Sequence, residues 1–166
     1  MRFLAVLIAL WPLAAVAEGS LQGRLVTLYT LTYDQPDTPL LRAKGATVMV
    51  GDGVEFGLGP EGAQNGLDVV PVEIEILPRR IEISYPPEAG AGTFWQAGFN
   101  GYVLEFEEDC ALFKGARIDA AATNMAVADT DLSLRGNALY INVSGRGYGP
   151  EAHMAIDLAV SDCLLG

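Results

Sequence analysis

The sequence predicts an all-β protein, an antiparallel β-sandwich of jelly-roll-like or immunoglobulin-like type, folding after removal of a signal peptide. Three observations carry this. Apolar and polar residues alternate with period 2 along most of the chain, whereas a helical period of 3.6 is hard to find. Short alternating runs are punctuated by Gly, Pro and Asx turn residues. The first residues carry an export leader.

That leader begins Met1-Arg2-Phe3, runs apolar through Ile8, Leu10 and Trp11, and ends in Ala15-Val16-Ala17. A short positive region, an apolar stretch and an A-x-A site in that order are the signature of a cleaved signal peptide. A membrane span needs about 20 apolar residues, and Pro12 with the small residues behind it fits processing better. No cysteine follows the site, so a lipid anchor is not supported. The expected organisation is a signal peptide at 1–17 and a single β-sandwich domain at 18–166, without a transmembrane segment in the mature chain. The expected location is the periplasm or the exterior.

The chain has 10 basic and 21 acidic residues, a formal net charge of -11. Loss of Arg2 with the leader makes this 9 against 21, or -12. Such acidity disfavours bare nucleic acid and anionic membrane surfaces as partners. Cys110 and Cys163 are the two cysteines, and an even pair in an oxidising compartment is expected to form a disulfide. Cys-x-x-Cys spacing is absent, which removes a thioredoxin-like redox role.

Residues 24–33 read as a long strand, with Leu25, Thr27, Tyr29, Leu31 and Tyr33 on one face and Val26, Leu28 and Thr30 on the other. The turn-rich residues 34–39 end it. Residues 47–50 and 54–56 form a hairpin candidate about Gly51-Asp52-Gly53. A glycine-rich loop then leads to a second hairpin, 69–76 with 80–85, in which Glu73, Glu75 and Glu82 face water. Residues 94–97 suggest a strand and Asn100-Gly101 a turn before alternation resumes at Tyr102. Further strands are expected at 116–119, 125–127, 132–135, 139–143 and 153–160, the fourth following a Gly136-Asn137 turn. Ala120-Ala121-Ala122 has room for one helical turn, and residues 145–150 read as a long hairpin tip.

The order of these motifs resembles a β-sandwich-like domain of secreted bacterial proteins of uncharacterised function. The resemblance is carried by residues 45–50 with 53–56, the paired segments near 69–76 and 80–85, residues 99–104, and the run 134–145. It spans about residues 45–158. It implies an exported sandwich and supplies no active-site residue. The Pro-Glu-Pro sorting tail and hydrophobic anchor found in some such proteins are not matched, since only three residues follow Cys163.

No reactive constellation stands out. His153 is the sole histidine, and Ser20, Ser84, Ser133, Ser144 and Ser161 lack the Gly-x-Ser-x-Gly elbow of a hydrolase. Glu73, Glu75 and Glu82 permit a carboxylate-dependent glycan hydrolase, which needs two such groups about 5 to 9.5 Å apart in a cleft. Arg79 and Arg80 at the same hairpin favour an ordinary charged face instead. Structural calcium has candidates in Asp52, Asp68, Glu107-Glu108-Asp109, Asp129 and Asp131, although no EF-hand loop is present. No other cofactor is expected. Aromatic residues offer a binding surface: Trp95 with Phe99 and Tyr148, beside Phe94 and Tyr102, whose alternation favours the core. Trp95, on the opposite parity to Phe94, is the residue expected to meet a partner. The leading expectation is an exported non-catalytic domain that binds a protein or carbohydrate of the cell envelope or exterior.

Overall fold

The computed structural model describes residues 19–57 and 70–163. The expected signal peptide at 1–17 and the calcium candidate Asp68 lie outside the described residues.

The strands are β1 (Leu25–Gln35), β2 (Thr38–Arg42), β3 (Ala46–Met49), β4 (Val54–Phe56), β5 (Glu73–Leu77), β6 (Arg80–Ser84), β7 (Gly92–Thr93), β8 (Phe99–Phe106), β9 (Phe113–Ile118), β10 (Leu132–Arg135), β11 (Ala138–Asn142), β12 (Gly147–Tyr148) and β13 (His153–Val160), and alternation dictates the longer ones. One sheet has the order β10-β11-β8-β1-β2, with β3 also pairing to β1. The second has the order β4-β5-β6-β13-β9, and β7 with β12 makes a two-stranded ribbon. Every pairing is antiparallel. The two large sheets pack into a β-sandwich around Val26, Leu28, Leu104 and Phe106 from the first sheet and Ile74, Ile76, Ile81, Ile83 and Ile156 from the second. Met154, Ile156, Leu158 and Val160 of β13 point into this core, while His153 stays exposed.

The outer face of the first sheet is also covered. Tyr29, Tyr33, Phe99 and Val103 are buried there with Ala43 and Ala138. Tyr33 stacks on Phe99 with centroids 5.2 Å apart, and Phe99 meets Tyr140 edge-on at 5.8 Å. Arg42 sits over the Tyr29 ring and Arg135 over the Tyr140 ring, at 4.5 and 4.4 Å, so guanidinium groups cap an aromatic layer. Burial first, and then the Tyr140 side chain, raises the pKa of the Tyr29 hydroxyl.

Two expected hairpins form, β5–β6 and β10–β11, the latter turning at Gly136 with φ 59°. Others are corrected. Gly51-Asp52-Gly53 joins β3 in one sheet to β4 in the other, so it is an inter-sheet crossing. Val50 and Phe56 on either side are both buried in the core that the two sheets share. Residues 145–150 likewise cross from β11 to β13 between sheets and donate β12 to the small ribbon. Asn100-Gly101 is no turn but the interior of β8, where a Cβ on Gly101 would lie 1.9 Å from the Ile141 carbonyl oxygen. Glycine there admits the β11 backbone to close approach. Residues 125–127 and 94–97 form no strand. The chain beyond residue 35 turns tightly into β2, whose five residues are all exposed and lack alternation.

Side chains tie the crossings down. Glu55 occupies the irregular step between Val54 and Phe56 in the β4–β5 pairing and is only 6 % exposed. Its carboxylate accepts the Gly51 amide at 3.0 Å and the Ile76 amide at 2.6 Å. Burial raises its pKa, and these amide bonds pull the other way without overcoming it. Cys110, between β8 and β9, is disulfide-bonded to Cys163 after β13, with Cα atoms 6.0 Å apart. Arg24 bridges to Glu108 at 2.5 Å with both side chains largely shielded, so one of the three adjacent acidic residues is neutralised. Leu21 is fully buried and its amide donates to the Pro78 carbonyl.

Two outcomes follow. Replacing Cys110 and Cys163 together by serine opens a loop of separation 53, and equilibrium urea unfolding should show a loss of about 4 kcal/mol; a loss below about 1 kcal/mol contradicts the staple. For Glu55, a raised carboxyl pKa means a stability contribution full below the unfolded value and lost as pH climbs through the folded one. The stability of the natural chain relative to Glu55→Gln should therefore decline as pH rises above the ordinary carboxyl value of about 4, and urea titrations of both proteins at acidic and at neutral pH check it.

Candidate functional site

The register of β1 on β8 determines what faces inward at each end of the sandwich. The inward pairs run Val26 with Phe106, Leu28 with Leu104, Thr30 with Tyr102, and Thr32 with Asn100. Apolar side chains thus give way to hydroxyl and amide groups along one continuous face. At the polar end the first sheet and the residues about the β7–β12 ribbon form a cleft of about 290 Å³, lined by Thr30, Thr32 and Leu41 of the sheet and by Phe94, Trp95 and Tyr148 of the covering segments. The size lies near the lower end of small-molecule sites, about 300 to 1,000 Å³. Among the described residues its lining contains no Asp, Glu, Lys or Arg, in a chain of formal charge -11.

An aromatic cluster floors the cleft. Phe94 lies 4.8 Å from Tyr148 and 6.4 Å edge-on from Tyr102, centroid to centroid, and Tyr85 lies 6.0 Å from Tyr148. The Tyr102 hydroxyl donates to that of Tyr85 at 3.3 Å. Burial pushes the Tyr85 pKa up to about 12 and that of Tyr102 upward too, so both stay neutral donors across ordinary pH. Gly92 makes room for the Tyr148 ring, since a Cβ there would lie 2.5 Å from the Tyr148 hydroxyl.

Trp95 projects from this floor and is 66 % exposed. Its backbone is held on both sides. The Trp95 carbonyl accepts from Asn100 Nδ2 at 2.8 Å, and the Phe94 amide donates to the Arg146 carbonyl at 2.8 Å. Ser144 bonds both the amide and the carbonyl of Ala97, and the Gly98 amide donates to Asp34. Asn100 also accepts from Thr32, which joins the indole-bearing segment to β1. The indole is therefore presented on a short non-strand segment whose main chain is fixed.

The structure brings Trp95 and Tyr148 to one cleft and separates Phe99 from them. Phe99 is 5 % exposed and belongs to the outer aromatic layer. Because β8 is continuous through Asn100-Gly101, parity sends Phe99 to the face opposite Asn100 and Tyr102. Phe99 therefore lies outside the cleft that Trp95 and Tyr148 line. Thr30 and Thr32 were missed by aromatic content alone; the signal was the switch from Val26 and Leu28 to Thr on the inward face.

The acidic candidates are distributed differently. Asp129 accepts the Ile118 amide at 2.7 Å, and Asp131 pairs with Arg146 at 3.1 Å while accepting the Ala128 amide. Both carboxylates hold connections in place. Asp52 lies exposed in the β3–β4 crossing. Among the described residues no three His, Cys, Asp or Glu side chains converge as a metal site would require. Glu73, Glu75 and Glu82 do share a face of the second sheet, lining a hollow of about 380 Å³ with Ser84 and His153. Glu75 and Glu82 are direct register partners, and Arg80 approaches Glu82 at 3.6 Å. Arg80 also bonds Asp157 at 2.9 Å and Asp119, and the Asp119 carboxyl is held below its usual range chiefly by that guanidinium. Among the described residues, the carboxyl whose protonation burial favours is Glu55, committed to two backbone amides in the β3–β4 crossing.

No family model, curated protein or solved structure matches the chain.

Like charges directly opposite on neighbouring strands oppose pairing. Glu75→Gln should therefore stabilise the fold by roughly 0.2 to 0.5 kcal/mol, read from urea unfolding at neutral pH and low salt, with the gain shrinking as salt is added.

Proposed function

We propose that this chain is an exported, non-catalytic binding domain of the periplasm or cell exterior, and that the Trp95 cleft is where it meets a protein or carbohydrate of the envelope or surroundings. The observation that carries this reading is the 66 % exposure of Trp95 at the mouth of a cleft floored by Phe94 and Tyr148. A large ring exposed to water contributes little to folding, yet it offers a broad apolar contact to a ligand. Its main chain is already ordered by Asn100, Ser144 and Arg146, so binding need not pay to order that segment. The disulfide and the leader support export. No helix among the described residues is long and apolar enough to cross a membrane.

The competing reading, a carboxylate-dependent glycan hydrolase, draws on Glu75 and Glu82 meeting on one sheet face. It needs one carboxyl held protonated by its surroundings. The site instead places Arg80 3.6 Å from Glu82, the arrangement of an ordinary charged sheet face.

The test is sedimentation with the envelope fraction of the producing cell. The natural chain and Glu75→Gln should be retained alike, whereas Trp95→Ala should lose at least about 2 kcal/mol of binding with an unchanged melting temperature. Retention of Trp95→Ala at the natural level refutes the reading, and release of reducing sugar that stops in Glu75→Gln or Glu82→Gln would establish the hydrolase instead.

A further inference from the structure

We infer that the cleft takes a single neutral sugar ring, stacked on Trp95 and hydrogen-bonded through the Thr30 hydroxyl. This rests on the binding reading above and names its ligand class. Three features narrow the chemistry. Among the described residues the lining carries no Asp, Glu, Lys or Arg, so a charged ligand would be desolvated there without a counter-charge from them. One wall is aromatic and the opposite wall carries Thr30 and Thr32, which suits a ligand with an apolar face and a polar rim. The volume of about 290 Å³ admits one ring and not an extended chain segment.

Thr30 separates a sugar from an apolar peptide side chain. Its Oγ1 is shielded from solvent and has no hydrogen-bond partner among the described residues, although the residue itself remains partly exposed at the cleft. The neighbouring Thr32 hydroxyl is already engaged by Asn100. A change of χ1 rotamer re-aims Oγ1, which would let it reach a group seated in the cleft. A ring hydroxyl supplies the missing partner there. Pairing the shielded hydroxyl recovers about 1 to 3 kcal/mol, a gain an apolar side chain does not make, and this decides between the two. Strand addition at the neighbouring β2 edge is the other protein-binding mode at hand. It is opposed by Pro39, which lacks a donor, and by two register irregularities between β1 and β2.

The experiment uses the full chain carrying Trp11→Phe, so that Trp95 is the sole indole. Cellotetraose, chitotetraose and maltotetraose are titrated separately while indole emission is followed, with a capped leucine-phenylalanine peptide as the contrasting probe. At least one oligosaccharide should shift the emission saturably. Thr30→Val should weaken that sugar about tenfold while its melting temperature stays level or rises, because the substitution removes an unpaired hydroxyl. Thr30→Ser, which keeps the hydroxyl, should bind within about threefold of the natural chain, and it carries the test should the valine variant fail to fold. A shift with the peptide alone overturns the inference in favour of a side-chain pocket. Silence with all three sugars, or equal sugar affinity in Thr30→Val, also overturns it. Trp95-dependent sedimentation with envelopes would survive any of these results, so loss of the sugar assignment and loss of the binding reading are told apart.

Discussion

The ladder between β1 and β8 is the constraint on which the rest of the molecule depends. Eight register pairs, from Val26 with Phe106 to Tyr33 with Phe99, set four residues of each strand inward and four outward. The outward set builds the layer of Tyr29, Tyr33, Phe99 and Val103, and the inward set builds the core at one end and the cleft at the other. A slip by one residue would exchange the two sets. Burial of aromatic or aliphatic side chains on both faces makes that slip expensive, and the register is therefore strongly specified.

Core and cleft are one surface with a change of chemistry along it. Where Val26 and Leu28 face inward, isoleucines of the second sheet cover them. Where Thr30 and Thr32 take over, the covering elements are the residues around Phe94 and the β12 tyrosine, and the contact is looser. Those covering elements belong to two inter-sheet crossings, and crossings are where a sandwich places recognition groups without disturbing its ladders. Asn100 links the two halves, since it accepts from Thr32 of β1 and donates to the Trp95 carbonyl. The acidic residues do different work at the periphery, where Asp129, Asp131, Asp119 and Asp157 hold backbone amides or arginines.

Local patterns were legible and long-range partners were not. The β5–β6 and β10–β11 hairpins could be read because turn and register lie within a few neighbouring residues. β4, β10 and β13 occupy the residues that alternation indicated. β2 was invisible because an exposed edge strand has no buried face to impose alternation, and Thr38–Arg42 shows none. Gly51-Asp52-Gly53 and residues 145–150 carry the composition of hairpin turns, yet the flanking strands find partners in opposite sheets. Asn100-Gly101 also carries turn composition, and its actual use is a close approach to Ile141 that only the neighbouring strand reveals. Of the aromatic candidates, the opposition of Phe94 and Trp95 was readable from parity, whereas Phe99 was misplaced by the supposed turn beside it.

By itself the sequence determined the β class, the one pair of cysteines able to bond, the acidity, and the faces of the longer strands, because each depends on composition or on a period of two residues. Only the tertiary structure decided which strands share a sheet, that the inward threonines of β1 stand opposite Trp95 and Tyr148, and that Phe99 lies on the other side. The physical reason is range. Side-chain parity is a property of adjacent residues, but a cleft is made by segments about sixty and more than a hundred residues apart, brought together by a core whose burial energy no single strand contains.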